Sequence, residues 1–238
     1  MATTTTTVPF IQEAQPGTDI WKKPPTTNVW NASITRTATG RLSKFLSARV
    51  SFRASWTERY DQAGLLLVPR RASSPSSSSF ASSPPPPPPP DRWVKAGVEY
   101  YEGAPQLSTV CCDRWADWSV APLLSSSSPS PTPGGSGSGQ KEGEEVTIEA
   151  VREGDENGKS VWVYRLVRDA ATGETLRRVP MREICWILAD EDDDDGENEK
   201  EEEDYWVIDV SPLVARPEKS AAGPLKVEFS EFAVAWLP

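Results

Sequence analysis

The 238-residue chain contains no histidine. That absence excludes catalysis by Ser-His-Asp and Cys-His groups, and it removes the commonest ligand of catalytic zinc and non-haem iron sites. A phosphate-binding glycine motif is also missing, since the glycines at 134–139 have no following Lys and Ser or Thr. We therefore expect no metal and no cofactor, and of the common catalytic chemistries only that of paired carboxylates remains.

Cysteine and long apolar runs are scarce as well. Cys111, Cys112 and Cys185 are odd in number and lack the paired spacing of a disulfide framework or a zinc site, so we expect reduced thiols in a cytoplasmic protein. Residues 1–10 have neither the basic nor the apolar region of a secretory signal, and no stretch approaches the ~20 apolar residues of a membrane span. The sequence predicts a soluble protein that does not contact membranes.

Basic residues are fewer than acidic ones, and the formal charge is −10. Residues 190–204 alone hold twelve acids and one lysine, so the rest of the chain carries a net charge of +1. A stripe of Lys and Arg that would neutralise phosphates is absent, and nucleic-acid binding is not expected.

Three low-complexity segments are predicted to be disordered insertions. Residues 70–90 are Ser- and Pro-rich and end in seven prolines, residues 125–145 are rich in Ser, Pro and Gly, and residues 190–204 are acidic. The prolines could dock an SH3-like or profilin-like partner and the acidic run a basic surface, but insertion into loops is the simpler interpretation. We predict one domain, residues 8–237, in which the insertions enlarge hairpin loops.

The remaining sequence alternates with the period of a β-strand. In residues 47–56, Ala48, Val50, Phe52, Ala54 and Trp56 share one face, so Phe52 and Trp56 are expected in the core. Many short strands at regular spacing favour an all-β sandwich of antiparallel sheets. The predicted strands are residues 47–56, 63–68, 93–100, 107–112, 115–120, 146–152, 161–167, 182–188, 205–210 and 225–234.

One predicted strand has a polar face with mixed chemistry. Residues 93–99 place Trp93, Lys95, Gly97 and Glu99 on the face opposite their apolar residues. An aromatic ring flanked by hydrogen-bonding groups is typical of sugar recognition. The alternative is that Lys95 and Glu99 pair with charges on neighbouring strands, which is ordinary sheet stabilisation.

Catalysis by carboxylates has weaker support in the sequence. A glycosidase needs two carboxyl groups about 5 to 9.5 Å apart, and no strand offers such a pair at i and i+2 in an apolar context. A pair on different strands remains open, with Glu99 and Asp61 as the first candidates.

Five short segments resemble one protein family. They are YDQAGL at 60–65, WVKAGVE at 93–99, DWS at 117–119, VARP at 214–217 and VEF at 227–229. They are similar to domain of unknown function 1349, the group that includes fungal regulation-of-enolase proteins. The resemblance implies a concanavalin A-like jelly-roll sandwich and, for some members, a link to enolase or sugar metabolism, without a known activity. Ser211 and Pro212 depart from the family's regular strand, so we expect local bending or unpairing there.

These observations favour a non-catalytic binding or regulatory protein whose concave sheet or loop rim recognises a carbohydrate or a metabolic enzyme. The alternatives are a glycan-processing enzyme and a scaffold that acts through its linkers. The candidate ligand-binding residues are Asp61, Gln62, Trp93, Lys95, Glu99, Asp117 and Trp118.

Overall fold

The regular secondary structure in the described part of the chain consists of β-strands and two short 3-10 turns. The computed structural model describes residues 3–7, 9–72, 88–124, 143–169, 171–190 and 205–238, so most of the three predicted insertions lies outside the described residues. Across those ranges, no helix is long and apolar enough to cross a membrane. The strands are β1 (Thr3–Thr7), β2 (Phe10–Ala14), β3 (Ile20–Lys23), β4 (Thr27–Trp30), β5 (Ser33–Ile34), β6 (Ala38–Arg41), β7 (Phe45–Ala54), β8 (Gln62–Arg71), β9 (Trp93–Tyr101), β10 (Ala104–Cys112), β11 (Ala116–Pro122), β12 (Val146–Asp155), β13 (Gly158–Arg168), β14 (Thr175–Ile184), β15 (Trp206–Ala215) and β16 (Leu225–Trp236).

The strands form two antiparallel sheets and a separate hairpin. The first sheet has the order β1-β16-β7-β12-β13-β14, and β2 also pairs with β16. The second sheet has the order β11-β10-β9-β8-β15-β5, and β6 also pairs with β15; β3 and β4 form the hairpin. The predicted fold class, an all-β jelly-roll sandwich of two antiparallel sheets, is confirmed.

The main core lies between the two sheets. Strand β7 contributes alternate residues to it, and Phe52 is fully buried as predicted. Trp56 follows the end of β7 and is half-buried, with its ring edge-on to Phe52 at a centroid distance of 6.4 Å. The period of two in the sequence therefore identified the core face of this strand.

Several predicted boundaries need correction. The strand predicted at 182–188 ends at Ile184, and Trp186–Leu188 form a 3-10 turn that buries both Ile187 and Leu188 in the main core. Two consecutive residues in one core require a turn, because successive strand residues point to opposite faces. Residues 70 and 71 belong to β8 rather than to the first insertion, and the six short strands before residue 42 were not predicted.

The expectation that the insertions enlarge hairpin loops holds for the first one only. The segment at 70–90 joins β8 to β9, which are neighbours in the second sheet. The segment at 125–145 joins β11 in the second sheet to β12 in the first, and the segment at 190–204 joins β14 in the first to β15 in the second. The last two therefore cross between sheets.

Pro212 lies in β15 without breaking the register with β8. Ser211 opposes Leu66 and Pro212 opposes Leu65. On the other side of β15, pairing with β6 ends at Val210 and pairing with β5 begins at Leu213. The predicted unpairing is thus confined to one side, where the chain that covers β15 passes from β5 to β6.

The outer face of the second sheet carries a second apolar cluster. Leu66, Val68, Trp93, Val110 and Leu213 lie there and pack beneath Ile20 of the β3–β4 hairpin. This face is therefore partly covered, and the polar residues of β8 and β9 lie beside the covered part.

Candidate functional site

The two family-like motifs of β8 and β9 lie side by side on the outer face of the second sheet. Gln62 opposes Glu99, Gly64 opposes Gly97, and Leu66 opposes Lys95. The polar residues predicted on one face of residues 93–99 do share that face, and pairing with β8 places Gln62 of the other motif beside Glu99.

The glycine pair lets the two strands approach closely. A methyl group at Gly64 would lie 2.1 Å from the carbonyl oxygen of Ala96, and one at Gly97 would lie 1.9 Å from that of Ala63. Both distances are far shorter than any van der Waals contact, so only glycine fits at either position. The pair leaves a depression without side chains between the flanking Gln62–Glu99 and Leu66–Lys95 pairs.

The side chain of Lys95 reaches along this depression. Its Nζ donates to Gln62 Oε1 at 2.6 Å and to Asp19 Oδ1 at 3.2 Å, and the residue is only 5% exposed. The Nζ also lies 5.9 Å from the centroid of the Trp21 ring. Because Lys95 and Gln62 stand on opposite sides of the glycine pair, the absence of side chains there makes their hydrogen bond possible.

Glu99 lies at the other end of the depression and is 6% exposed. Its Oε2 accepts a hydrogen bond from Ser108 Oγ at 2.8 Å, and Ser108 Oγ accepts one from Trp118 Nε1 at 3.1 Å. Burial raises the pKa of the Glu99 carboxyl and nearby Asp19 adds to the rise, whereas Lys95 and Ser108 act in the opposite direction. A cavity of about 10 Å³ remains between these groups, room for about one water molecule.

Aromatic rings form a rim next to Glu99. Tyr60 and Tyr101 are stacked with their ring centroids 5.8 Å apart, and Trp118 stands edge-on to both, at 6.1 and 5.1 Å. The guanidinium carbon of Arg59 lies 4.7 Å from the Tyr60 ring centroid. All three rings are half-buried, so each keeps some surface for a further contact.

The backbone of Tyr60 is strained. Its φ of 68° lies in the left-handed region, which bulky side chains rarely adopt. The carboxylate of the following residue, Asp61, stabilises the loop that contains Tyr60. One of its oxygens accepts the backbone N–H groups of Thr57 and Glu58, and both oxygens accept the guanidinium of Arg216. The strain is thus maintained by a buried ion pair directly behind the rim.

The structure brings four of the seven candidate residues together: Gln62, Lys95, Glu99 and Trp118. Asp61 is fully buried with both oxygens engaged by Arg216, and it does not face the depression. Asp117 points to the face opposite Trp118 and forms an ion pair with Arg182 of the first sheet at 3.1 Å.

Trp93 corrects the expectation of an aromatic ring open to a sugar. The residue is 1% exposed, because the β3–β4 hairpin covers it and Trp30 packs against it at a centroid distance of 6.4 Å. The outward direction was predicted correctly, but the hairpin that covers the ring was not. The exposed aromatic surface comes from Trp118 and the two tyrosines instead.

Sequence reasoning missed Asp19, Ser108, Tyr60 and Tyr101 as members of the site. Tyr60 begins the motif at 60–65 and Ser108 is a polar residue in an apolar strand, so both left a weak signal. Asp19 lies in an irregular segment before β3, and no pattern connects it with Lys95. Over the described ranges, no group of three or more acids and cysteines is placed to hold a metal ion.

Comparisons with known proteins support the family resemblance of the five short segments. The family described as "Protein of unknown function (DUF1349)" matches residues 3–181. An uncharacterised protein of Emericella nidulans is 35% identical over 225 residues, covering 94% of this chain and 85% of the relative. A functionally unknown protein from Saccharomyces cerevisiae has a similar solved structure, with a TM-score of 0.55, 19% identity, and coverage of 100% of this chain and 97% of that one. At that identity the structural likeness shows the fold alone.

Proposed function

We propose a non-catalytic binding role for this protein, which belongs to the DUF1349 family of proteins of unknown function. In this role the outer face of the second sheet recognises a carbohydrate. The ligand would lie against the rim of Tyr60, Tyr101 and Trp118 and reach Glu99 at the edge of the depression.

The observation that carries this proposal is the pair of buried residues Lys95 and Glu99, each of which interacts with a half-buried aromatic ring, Trp21 and Trp118 respectively. Burying a charge costs several kcal/mol of desolvation free energy, and apolar residues would often stabilise the sheet as well or better. Residues that lower the stability of the fold in this way are expected at functional sites. The strained backbone of Tyr60 is a second such feature beside the same groups.

The chemistry of the site fits a polyhydroxylated ligand. Sugars present apolar faces that pack on aromatic rings and hydroxyl groups that exchange hydrogen bonds with charged side chains. The cavity beside Glu99 and Ser108 has room for one hydroxyl group in place of a water molecule. The rim then contributes contact area, and the carboxylate contributes specificity.

A glycan array followed by isothermal titration of the best oligosaccharide tests this role. Glu99→Gln should weaken binding about 10- to 100-fold, the value of one charge-assisted hydrogen bond, and Trp118→Ala about fivefold. Trp162→Ala is the matched control, because this half-buried ring stacks on Tyr164 in the first sheet. Equal affinity in all variants, or no glycan binding by the wild type, would contradict the proposal.

An enzymatic role is the second candidate. Asp19 forms an ion pair with Lys95, Glu99 interacts electrostatically with both residues, and burial raises the pKa of Glu99 as a general acid requires. The carboxyl pair of Asp19 and Glu99 replaces that of Glu99 and Asp61, since Asp61 is engaged by Arg216. Hydrolysis of a glycan by the wild type, abolished in both Asp19→Asn and Glu99→Gln, would replace the binding proposal.

A role in sugar metabolism through enolase stays a prediction drawn from the resemblance. A cytoplasmic location and a scaffold role of the linkers stay predictions drawn from the composition of the chain. Titration of purified enolase with the protein tests the first. An affinity that falls in Trp118→Ala would favour a protein partner on the rim over a carbohydrate.

A further inference from the structure

Arg216 follows the last residue of β15 and connects two loops that carry site residues. It is 6% exposed, and it touches none of the polar groups of the depression through a hydrogen bond in the described part of the chain. Its two kinds of contact, backbone and side chain, are directed to different loops.

The backbone of Arg216 holds the N-terminal loop, residues 15–19. Its carbonyl oxygen accepts the N–H groups of Gly17 and Thr18 at 2.8 and 3.1 Å, and its N–H donates to Thr18 Oγ1 at 3.0 Å. This loop ends at Asp19, whose Oδ1 accepts hydrogen bonds from Lys95 and Gln62.

The side chain of Arg216 holds the β7–β8 loop, residues 55–61. Its guanidinium donates to both oxygens of Asp61, at 2.8 and 2.7 Å, and to Thr57 Oγ1 at 3.0 Å. A further N–H donates to the carbonyl oxygen of Gly223. This loop presents Tyr60 in its strained conformation.

We propose that Arg216 is a positioning residue that couples the two loops, so that Asp19 and Tyr60 are set in place together. The inference rests on the proposed function for its consequence in ligand binding, but the coupling itself is a property of the free protein. Arginine is required because a planar guanidinium engages a carboxylate with two parallel hydrogen bonds and keeps donors for Thr57 and Gly223, which the ammonium of lysine does not reproduce.

Amide hydrogen exchange of the ligand-free full chain tests the coupling. In Arg216→Lys, exchange at Gly17 and Thr18 and at Thr57 and Glu58 should accelerate together by about fivefold or more, while β9 keeps its protection. Arg168→Lys is the matched control, because Arg168 pairs with Glu231 and Gly173 away from both loops. Acceleration in only one loop would overturn the coupling.

A second variant keeps the test decisive if Arg216→Lys does not fold. Thr18→Val removes the hydroxyl that accepts the Arg216 N–H and directly alters only the N-terminal loop. Coupling predicts faster exchange at Thr57 and Glu58 as well, and an unchanged β7–β8 loop would refute it.

Ligand titration separates the coupling from the proposed function. If the wild type binds a glycan, Thr18→Val should lower its affinity about fivefold although Thr18 is outside the depression. Absence of glycan binding with the exchange pattern intact would reject the proposed function and leave the coupling standing. Binding that is unchanged despite faster exchange in both loops would reject the positioning role.

Discussion

Gly64 and Gly97 face each other across β8 and β9 at a distance that excludes a side chain from both. Each belongs to one of the five segments that resemble the family, at 60–65 and 93–99, and each lies next to residues of the depression. The close approach explains why both motifs have glycine at the paired position in this chain, and it lets Lys95 reach Gln62.

Gly97→Ala should destabilise the protein by about 2 to 3 kcal/mol or more, because the new methyl group would lie 1.9 Å from a backbone oxygen that cannot move aside cheaply. Urea unfolding measures the change. Gly223→Ala is the control, because among the described residues no atom other than those of its chain neighbours lies within 4 Å of a methyl group there. An equal loss of unfolding free energy in the two variants would show that β8 and β9 separate easily at the glycine pair.

Trp93→Ala should act on stability rather than on ligand contact. The ring is buried under the β3–β4 hairpin, and removal of a buried Trp costs about 3 to 5 kcal/mol. Thermal and urea unfolding of Trp93→Ala and Trp118→Ala compare a covered ring with a half-buried one. A smaller loss of unfolding free energy in Trp93→Ala than in Trp118→Ala would mean that the β3–β4 hairpin separates from the sheet in solution.

The faces of the long strands were predictable, because ten residues of alternating polarity leave little choice of orientation. Phe52 and Glu99 therefore face the sides that the pattern predicts. The same rule separates Asp117 from Trp118, since neighbours on a strand point to opposite faces, and Asp61 lies in the loop before β8 rather than on the strand with Gln62. Grouping them in one site overlooked that rule.

Other parts of the site were beyond local sequence patterns. The ion pair between Asp61 and Arg216 joins residues 155 positions apart. The hairpin that covers Trp93 has strands of four residues, too short to show a period. Contacts of this kind follow from the tertiary fold, which a single sequence does not specify by periodicity alone.

The first insertion should be dispensable for folding. It joins β8 to β9, which are paired neighbours, so replacing residues 73–87 with a turn of about four residues leaves the same hairpin. Loop-closure entropy depends only weakly on length, and the free energy of unfolding should stay within about 1 to 2 kcal/mol or rise. Loss of a cooperative thermal transition in the shortened protein would contradict this. The other two insertions connect different sheets and need longer replacements.

Glu99 should make stability depend on pH in a defined direction. Its folded-state pKa is raised above the ordinary value of 4.5, first by burial, so the folded protein holds the proton more tightly than the unfolded chain does. The stabilisation from this group is fully present below the unfolded pKa and is lost as pH rises through the folded pKa. Glu99→Gln has no carboxyl group to ionise and should lack this loss.

Urea unfolding of the wild type and Glu99→Gln between pH 4 and pH 8 measures the effect. The variant should gain stability relative to the wild type as pH rises, and the difference should level off once Glu99 is fully ionised in the folded state. Glu228→Gln is the control, because Glu228 is about half exposed and paired with Arg53 on the first sheet. A difference in unfolding free energy between wild type and Glu99→Gln that does not change with pH would show that Lys95 and Ser108 fully offset the effect of burial on the pKa of Glu99.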